Sequence, residues 1–171
     1  MKKKTPSTAP GSFLESFAEA AGLNRLKKTD APRLYYLSGA VTHDPQYRLK
    51  FDLAERYLIA KGNYVINPIH GELPGQTWEH YIACDLLLLV RLMNIYTEIV
   101  MIASRIRGCS APIPLPAIAM IDPDDRAFPS KGSAIEEAFS DCTLPIIKLG
   151  KEWNELLTAV IEKVEKEGAK R

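Results

Sequence analysis

Short runs of β-type residues alternate with longer segments of helical periodicity over most of this chain. The first such run is Leu34–Leu37, and apolar residues recur at helical spacing over 45–60. A second run, Asn63–Ile66, is followed by a long helical segment predicted from about Trp78 to Arg107. Because strands that alternate with helices pair side by side in the same direction, this order predicts a parallel sheet.

The second half of the chain continues the alternation. Strands are predicted at 117–121 and 144–149, with a helical segment that contains Glu136 between them. A last helix, about 151–168, has apolar residues on one face and Lys and Glu on the other, so it is expected to cover the sheet. The predicted fold class is α/β, a Rossmann-like or flavodoxin-like sandwich with a parallel sheet of about four to five strands flanked by helices.

The chain of 171 residues has enough apolar material for one sizeable core. Residues 1–30 differ in composition and are expected to form an N-terminal appendage, partly disordered, with a short amphipathic helix. This appendage is either a mobile tail or a contact for a partner. Residues 31–171 are expected to form the main domain.

Charge and cysteine usage indicate a cytoplasmic protein. The formal net charge of +1 offers no global field for nucleic acid, which is therefore not an expected partner. The three cysteines are too scattered for a disulfide framework or a zinc site, and prolines interrupt the place where a signal peptide would need an apolar run.

The most apolar stretch is 82–103, within the long predicted helix. It contains Asp85, Arg91 and Glu98, and charges at that frequency are costly inside a bilayer. We therefore expect a buried helix of a globular core, with no membrane partner.

Two carboxylates stand out as candidates for chemistry. Ser130-Lys131-Gly132-Ser133 leads into a helix that carries Glu136 near its start, where free N–H groups and hydroxyls can hold polar ligand atoms. The same spacing also fits a capping box of Ser133 and Glu136. Asp85 interrupts an apolar run, which indicates either a functional carboxylate or a structural ion pair or hydrogen bond.

The order of several motifs resembles a known family. The motifs are Tyr36-Leu37-Ser38-Gly39, Tyr47-Arg48, Val65-Ile66-Asn67-Pro68, Thr77-Trp78-Glu79-His80-Tyr81 with Asp85-Leu86, Gly132-x-x-x-Glu136, and Leu144-Pro145-Ile146-Ile147. Over about 33–149 they resemble the DUF4406 family, which is similar to the nucleoside 2-deoxyribosyltransferase superfamily and related to deoxynucleoside 5′-monophosphate N-glycosidases.

The resemblance implies a set of roles. Glu136 would be the nucleophile on the anomeric carbon of a 2-deoxyribose, Tyr36 would orient or tune it, and Asp85 would act on the base. The residues implied as substrate contacts are Ser38, Gly39, Thr42, Asn67, Ser130, Gly132 and Ser133. The relatives tend to form homodimers or larger homo-oligomers, so self-association is expected.

Some positions depart from the relatives. Ser130 replaces the Asp that is typical of the transferases and resembles the serine of the monophosphate glycosidases. Those glycosidases also have Ser and Arg where this chain has Ala40 and Thr42. The stretch of about 91–116 is longer than the resemblance implies and is treated as an insertion.

The expected function is cleavage or exchange of the N-glycosidic bond of a 2′-deoxynucleoside or its 5′-monophosphate, through a covalent glycosyl-glutamate intermediate. The alternative is a non-catalytic nucleotide-binding sensor or interaction module on the same fold. No cofactor and no metal are expected, since the acidic loop Asp122-x-Asp124-Asp125 is more typical of a solvated turn.

Overall fold

Four strands and three long helices follow the predicted order. The computed structural model describes residues 27–29, 31–41, 44–73, 75–106, 113–122, 134–135, 138 and 144–168. Its elements are β1 (Leu34–Ser38), α1 (Tyr47–Ala60), β2 (Tyr64–Ile66), a short 3-10 helix (Pro68–Gly71), α2 (Trp78–Arg105), β3 (Ala117–Met120), β4 (Ile146–Lys148) and α3 (Gly150–Gly168).

The strands form one parallel sheet in the order β2-β1-β3-β4. Tyr36 of β1 lies between Ile66 of β2 and Ile118 of β3. β2 lies on one side of β1, and the chain then crosses back to place β3 on the other side of β1. The order in which strands are added to the sheet therefore reverses direction at β1. This confirms the predicted α/β sandwich, with four strands among the described residues.

Helices α1 and α3 cover one face of the sheet. Leu37, Phe51 and Trp153 are buried together there, and the indole Nε1 of Trp153 donates a hydrogen bond of 2.8 Å to the carbonyl oxygen of Ile121. Leu157 and Val160 are buried on the same side of α3. The predicted apolar face of the last helix is confirmed.

Helix α2 covers the other face, but only in part. Leu89 and Leu92 are its buried residues, and they pack with Tyr36, Ile118 and Met120. The expectation of a buried helix over 82–103 was wrong. The consecutive residues 99–102 are all exposed, and since four consecutive positions span a full helical turn, the helix has left the sheet by this point.

Helix α2 is long enough and apolar enough to cross a membrane. The core helices of many soluble proteins are equally long and apolar, so these two properties are weak evidence for a membrane span.

The predicted bounds differ from the observed ones by one or two residues at most element ends. The predicted long helix of 78–107 is observed as Trp78–Arg105, and the strand predicted at 144–149 is observed as Ile146–Lys148. Of the predicted appendage, 1–26 and Asp30 lie outside the described residues. Thr29, which is described, donates its N–H to the carbonyl oxygen of Lys61 at 2.8 Å.

Candidate functional site

The candidate site lies at the carboxyl ends of β1 and β3. These adjacent strands are paired along four positions, and the chain direction reverses between their outgoing connections. In open parallel sheets, ligands bind in the crevice at such a reversal because the two outgoing loops diverge there. The described part of this edge consists of the loop 39–41 after β1 and Ile121-Asp122 after β3.

Asp122 ties the two loops together. Its Oδ2 accepts a 2.6 Å hydrogen bond from the N–H of Ala40, and its Oδ1 lies 3.0 Å from Nζ of Lys50. Nearby, the N–H of Ile121 donates to the carbonyl oxygen of Ser38 at 3.0 Å. The expectation that Asp122 belongs to a solvated turn was wrong, because its side chain is 3% exposed. Asp124 and Asp125 lie outside the described residues.

Lys50 joins Asp122 to a second buried carboxylate, that of Asp44. Although burial alone would lower the pKa of Lys50, its contacts with Asp44 and Asp122 raise that pKa. The lysine therefore stays charged, and an ion-paired charge is what makes two buried carboxylates tolerable. The cluster of Asp44, Lys50 and Asp122 fixes the start of α1 against the loop after β3.

Gly39 is required by the close approach of the two loops. A Cβ at this position would lie 2.5 Å from Cγ1 of Ile121 and 3.2 Å from Oδ2 of Asp122. Ile121 is fully buried and has little room to move. The glycine therefore lets the backbone after β1 lie directly against the end of β3.

Tyr36 and Asp85, which the sequence predicted as catalytic residues, lie in contact. The Tyr36 hydroxyl lies close enough to the Asp85 carboxylate to lower its pKa by hydrogen bonding, and Tyr36 itself is fully buried within β1. Asp85 lies in the second turn of α2, on the side that faces the sheet together with Leu89 and Leu92. The helix thus brings a carboxylate over the first strand at the reversal of the sheet.

The environment of Asp85 favours its protonated form. Burial raises the pKa of Asp85 to about 6, although the Tyr36 hydroxyl opposes the shift by stabilising the carboxylate. The negative charge of Glu72 adds to the rise. Glu72 itself is bound by Arg48 and accepts a 3.0 Å hydrogen bond from the hydroxyl of Tyr47. A carboxyl with a pKa near neutrality can both donate and accept a proton at working pH.

Ser38 and Asn67 are both buried where they were expected to contact substrate. Ser38 ends β1, is 1% exposed and has an interaction of its own. Asn67 caps the 3-10 helix, since its Oδ1 accepts from the N–H of Ile69 at 3.3 Å and its Nδ2 donates to Oε2 of Glu55 at 2.8 Å. A substrate contact by either side chain stays a prediction.

The remaining predicted site residues lie outside the described residues. They are Thr42, Ser130, Gly132, Ser133 and Glu136. Ala134, Ile135 and Ala138, which are described, have helical backbone and exposed side chains.

A second polar cluster lies beside Asn67 and offers the described residues best able to hold a metal ion. Asp52 and Glu55 of α1 and His70 of the 3-10 helix each present a ligand atom within 4.8 Å of the others. Nε2 of His70 lies 3.2 Å from Oε2 of Glu55 and 4.0 Å from Oδ1 of Asp52. The three side chains are partly or fully exposed, and contacts among these polar groups and Asn67 account for the same geometry without an ion.

An open groove lies away from this edge. It is lined by Thr29, Arg33 and Asn63, which precede β1 and β2, together with residues around β4. Neither Tyr36 nor Asp85 lines it. The chemistry of the site, rather than the size of a groove, therefore marks the carboxyl edge as the candidate.

The sequence did not single out Asp122, Lys50 or Glu72 as site residues. Asp122 had one usable signal, because it directly follows the apolar strand predicted at 117–121, at the predicted ligand edge. Lys50 and Glu72 had none, since each acts through a partner distant along the chain.

Comparison with known families and proteins finds a match to a family model. No curated protein and no solved structure matches this chain significantly. A family model matches residues 33–107, a segment that runs from the start of β1 to just past α2 and overlaps the expected insertion at 91–107. Tyr36 and Asp85 lie within the match, and Glu136 lies beyond it. The match supports assignment of this segment to DUF4406, a domain of unknown function.

Proposed function

We propose that this protein cleaves or exchanges the N-glycosidic bond of a 2′-deoxynucleoside or its 5′-monophosphate. The observation that carries the proposal is the contact between Tyr36 and Asp85, with the pKa of Asp85 raised to about 6, at the reversal of a parallel sheet. Carboxyl groups with a raised pKa at such a position in the sheet are typical of sites for proton transfer. The choice of reaction comes from the resemblance to the deoxyribosyltransferases.

The proposed reaction divides the work between two carboxyl groups. The carboxylate of Glu136 attacks C1′ as the bond from C1′ to the base breaks, and the bonding electrons leave with the base. Protonated Asp85 gives its proton to the departing base. Water or a second base then attacks C1′, which frees Glu136 and returns a proton to Asp85.

Tyr36 has a positioning role in this scheme. Its hydroxyl donates to the Asp85 carboxylate, and burial in β1 holds the ring in place. The hydrogen bond keeps the pKa of Asp85 from rising further, so that the group can give up its proton and recover it. The proposed acid is therefore tuned by two opposing effects, desolvation and hydrogen bonding.

We infer a preference for the free nucleoside over the 5′-monophosphate. In the described part of the loop after β1, Ala40 is 2% exposed and its N–H is taken by Asp122. Lys50, the buried cation at this edge, is already shared between Asp44 and Asp122. A phosphate beside two carboxylates and one shared lysine would be repelled. Ser130 supports the opposite preference, so the choice needs a direct test.

The first experiment measures free base by chromatography. The purified protein is incubated with a panel of deoxynucleosides and their 5′-monophosphates, with and without an acceptor base. Release without acceptor indicates a hydrolase, and exchange only with acceptor indicates a transferase. We expect activity on nucleosides, and release from monophosphates alone would overturn the inferred preference.

Matched variants identify the nucleophile. Glu136→Ala should abolish base release, while Glu137→Ala, which removes the neighbouring carboxylate, should retain it. An active Glu136→Ala protein would refute the nucleophile assignment. No release from any substrate, together with tight binding of an intact nucleotide by both wild type and Glu136→Gln, would favour the alternative of a nucleotide-binding sensor or interaction module.

We also propose a cytoplasmic location and a homo-oligomeric state. The scattered cysteines support a reducing compartment, and Cys84, the free cysteine among the described residues, is exposed. Recovery of the protein in the soluble cytoplasmic fraction would support this location.

A further inference from the structure

Helix α2 presents a long apolar surface to solvent. Four residues spaced three, four or seven positions apart lie along one side of it, and these four and Ile106, directly after the helix, are each between 37% and 59% exposed. They form the α2 stripe: Leu88, Ile95, Ile99, Ile102 and Ile106. Contiguous apolar surface of this kind on a folded chain marks a site of contact with another molecule.

The charges beside the α2 stripe identify its occupant. The exposed Arg105 lies near the end of the stripe, and between Leu86 and Ser104 the charged residues are Arg91 and Glu98, both exposed. They lie about 10 Å apart along the helix axis, farther than the three- and four-residue spacings at which side chains of one helix meet. Neither has an ion-pair partner among the described residues. Each therefore lacks an opposite charge that a partner surface can supply.

The positions of these residues are self-complementary. Arg91 and Glu98 are symmetric about the Asn94-Ile95 peptide, and Leu88 and Ile102 are symmetric about Ile95. In an antiparallel pair of α2 helices centred there, Arg91 of each copy faces Glu98 of the other. Ile95 lies only half a residue from this centre, less than about 1 Å along the axis, so the same pairing brings Leu88 close to Ile102 and Ile95 close to its own copy near the two-fold axis. Such an isologous contact is the commonest way in which identical chains associate.

We propose that the α2 stripe is a dimer interface in which two copies of this chain pair their α2 helices antiparallel about a two-fold axis near Ile95. The interface combines an apolar centre with two symmetric ion pairs at its sides, which is the usual arrangement of a specific protein contact. The opposite signs of Arg91 and Glu98 leave the part of the stripe between Leu88 and Ile102 without net charge. It therefore has no electrostatic preference for an acidic or a basic partner.

Charge exchange tests the geometry of this interface. Sedimentation equilibrium of the full chain should show a concentration-dependent dimer. Arg91→Glu alone sets four carboxylates around the axis, and Glu98→Arg alone sets four guanidinium groups there. Each should raise the dissociation constant by roughly tenfold or more. The double variant restores opposite charges and should return the dissociation constant to within about threefold of wild type.

Two further variants complete the experiment. Ile95→Glu places like charges face to face at the axis and should raise the dissociation constant by about 100-fold or more. Lys151→Glu is the control: it reverses an 89% exposed charge on α3, which lies on the opposite face of the sheet, and should leave the dissociation constant unchanged. Circular dichroism checks that each variant is folded, and recovery in the double variant does not depend on that check.

Three results would overturn the proposal. A monomer at every concentration would mean that the chain covers its own stripe. A dimer insensitive to Ile95→Glu, or one that the charge exchange fails to restore, would place the interface elsewhere. Binding of the monomeric chain to neutral phosphatidylcholine vesicles, lost in Ile95→Glu, would make the stripe a membrane contact. All three outcomes are independent of the base-release assay, so failure of this inference is distinguishable from failure of the proposed chemistry.

Discussion

Replacing Asp85 by asparagine should make the fold more stable at neutral pH. The pKa of this carboxyl rises from 3.8 to about 6 on folding, chiefly through burial. Between these two values the folded state retains a proton that the unfolded state has lost. The stability that this group contributes is therefore present at low pH and is lost as the pH rises through about 6. Asparagine cannot ionise and does not incur this loss.

The size of the effect follows from the shift. A rise of about two pKa units corresponds to at most about 3 kcal/mol, since each unit is worth about 1.4 kcal/mol. Asp85 is only partly buried and water screens part of the cost, so we expect a gain of about 1–2 kcal/mol in the free energy of unfolding at pH 8. The asparagine retains an acceptor oxygen for the Tyr36 hydroxyl.

Urea unfolding of wild type and Asp85→Asn between pH 4 and pH 8 measures this difference. The extra free energy of unfolding of Asp85→Asn over wild type should be small at pH 4 and should grow between pH 4 and about 6. The m-value should not change. Other groups titrate in both proteins and cancel. Glu79→Gln is the contrasting control on the same helix: hydrogen bonding with Thr77 lowers the pKa of the fully exposed Glu79, so this substitution should not stabilise the fold as the pH rises. A pH-independent difference, or an Asp85→Asn protein less stable than wild type at pH 8, would refute the reasoning.

Substitutions at Tyr36, Gly39 and Asp122 probe the site. Tyr36→Phe should raise the pKa of Asp85 above about 6 in a carboxyl NMR titration, since the opposing hydrogen bond is lost; an unchanged pKa would contradict the contact. Gly39→Ala should lower the free energy of unfolding by about 1–3 kcal/mol in urea, while Gly71→Ala, which has open space around the added methyl, should change it little. Asp122→Ala should lower the free energy of unfolding by about 2–4 kcal/mol, and Asp122→Asn should lower it by less, because asparagine keeps an acceptor for the N–H of Ala40. Equal losses in the two variants would argue against the hydrogen bond to the Asp122 carboxylate.

The sequence predicted the fold because each strand and helix has a recognisable pattern within its own short segment. Runs such as Leu34–Leu37 and the periodic segment of 45–60 each report on their own conformation, and their order then limits the topology to a parallel sheet. Asp85 was found for a related reason, since a carboxylate inside an apolar run is conspicuous without any knowledge of its partner.

The residues that the sequence missed depend on contacts between distant positions. Asp122 binds Ala40 and Lys50, which lie 82 and 72 residues away along the chain. Within its own segment Asp122 looks like part of an acidic turn, and only the pairing of β1 with β3 buries it. Local pattern carries no information about such a partner.

Helix α2 shows that an apolar sequence does not specify what covers it. Ile99 and Ile102 have the composition of buried residues, yet both are exposed because the helix extends past the sheet. The pattern is the same for a core residue and for a surface that another molecule covers.

Base release by wild type, Glu136→Ala and Asp85→Asn, followed across pH with one responsive deoxynucleoside, tests the central claim most directly. Glu136→Ala should release no base. For wild type, kcat/KM should fall as the pH rises above about 6, where Asp85 loses its proton. For Asp85→Asn, kcat/KM should be roughly 100-fold to 10,000-fold lower and lack that titration. Undiminished release by Glu136→Ala, or an unaltered pH profile in Asp85→Asn, would contradict that claim.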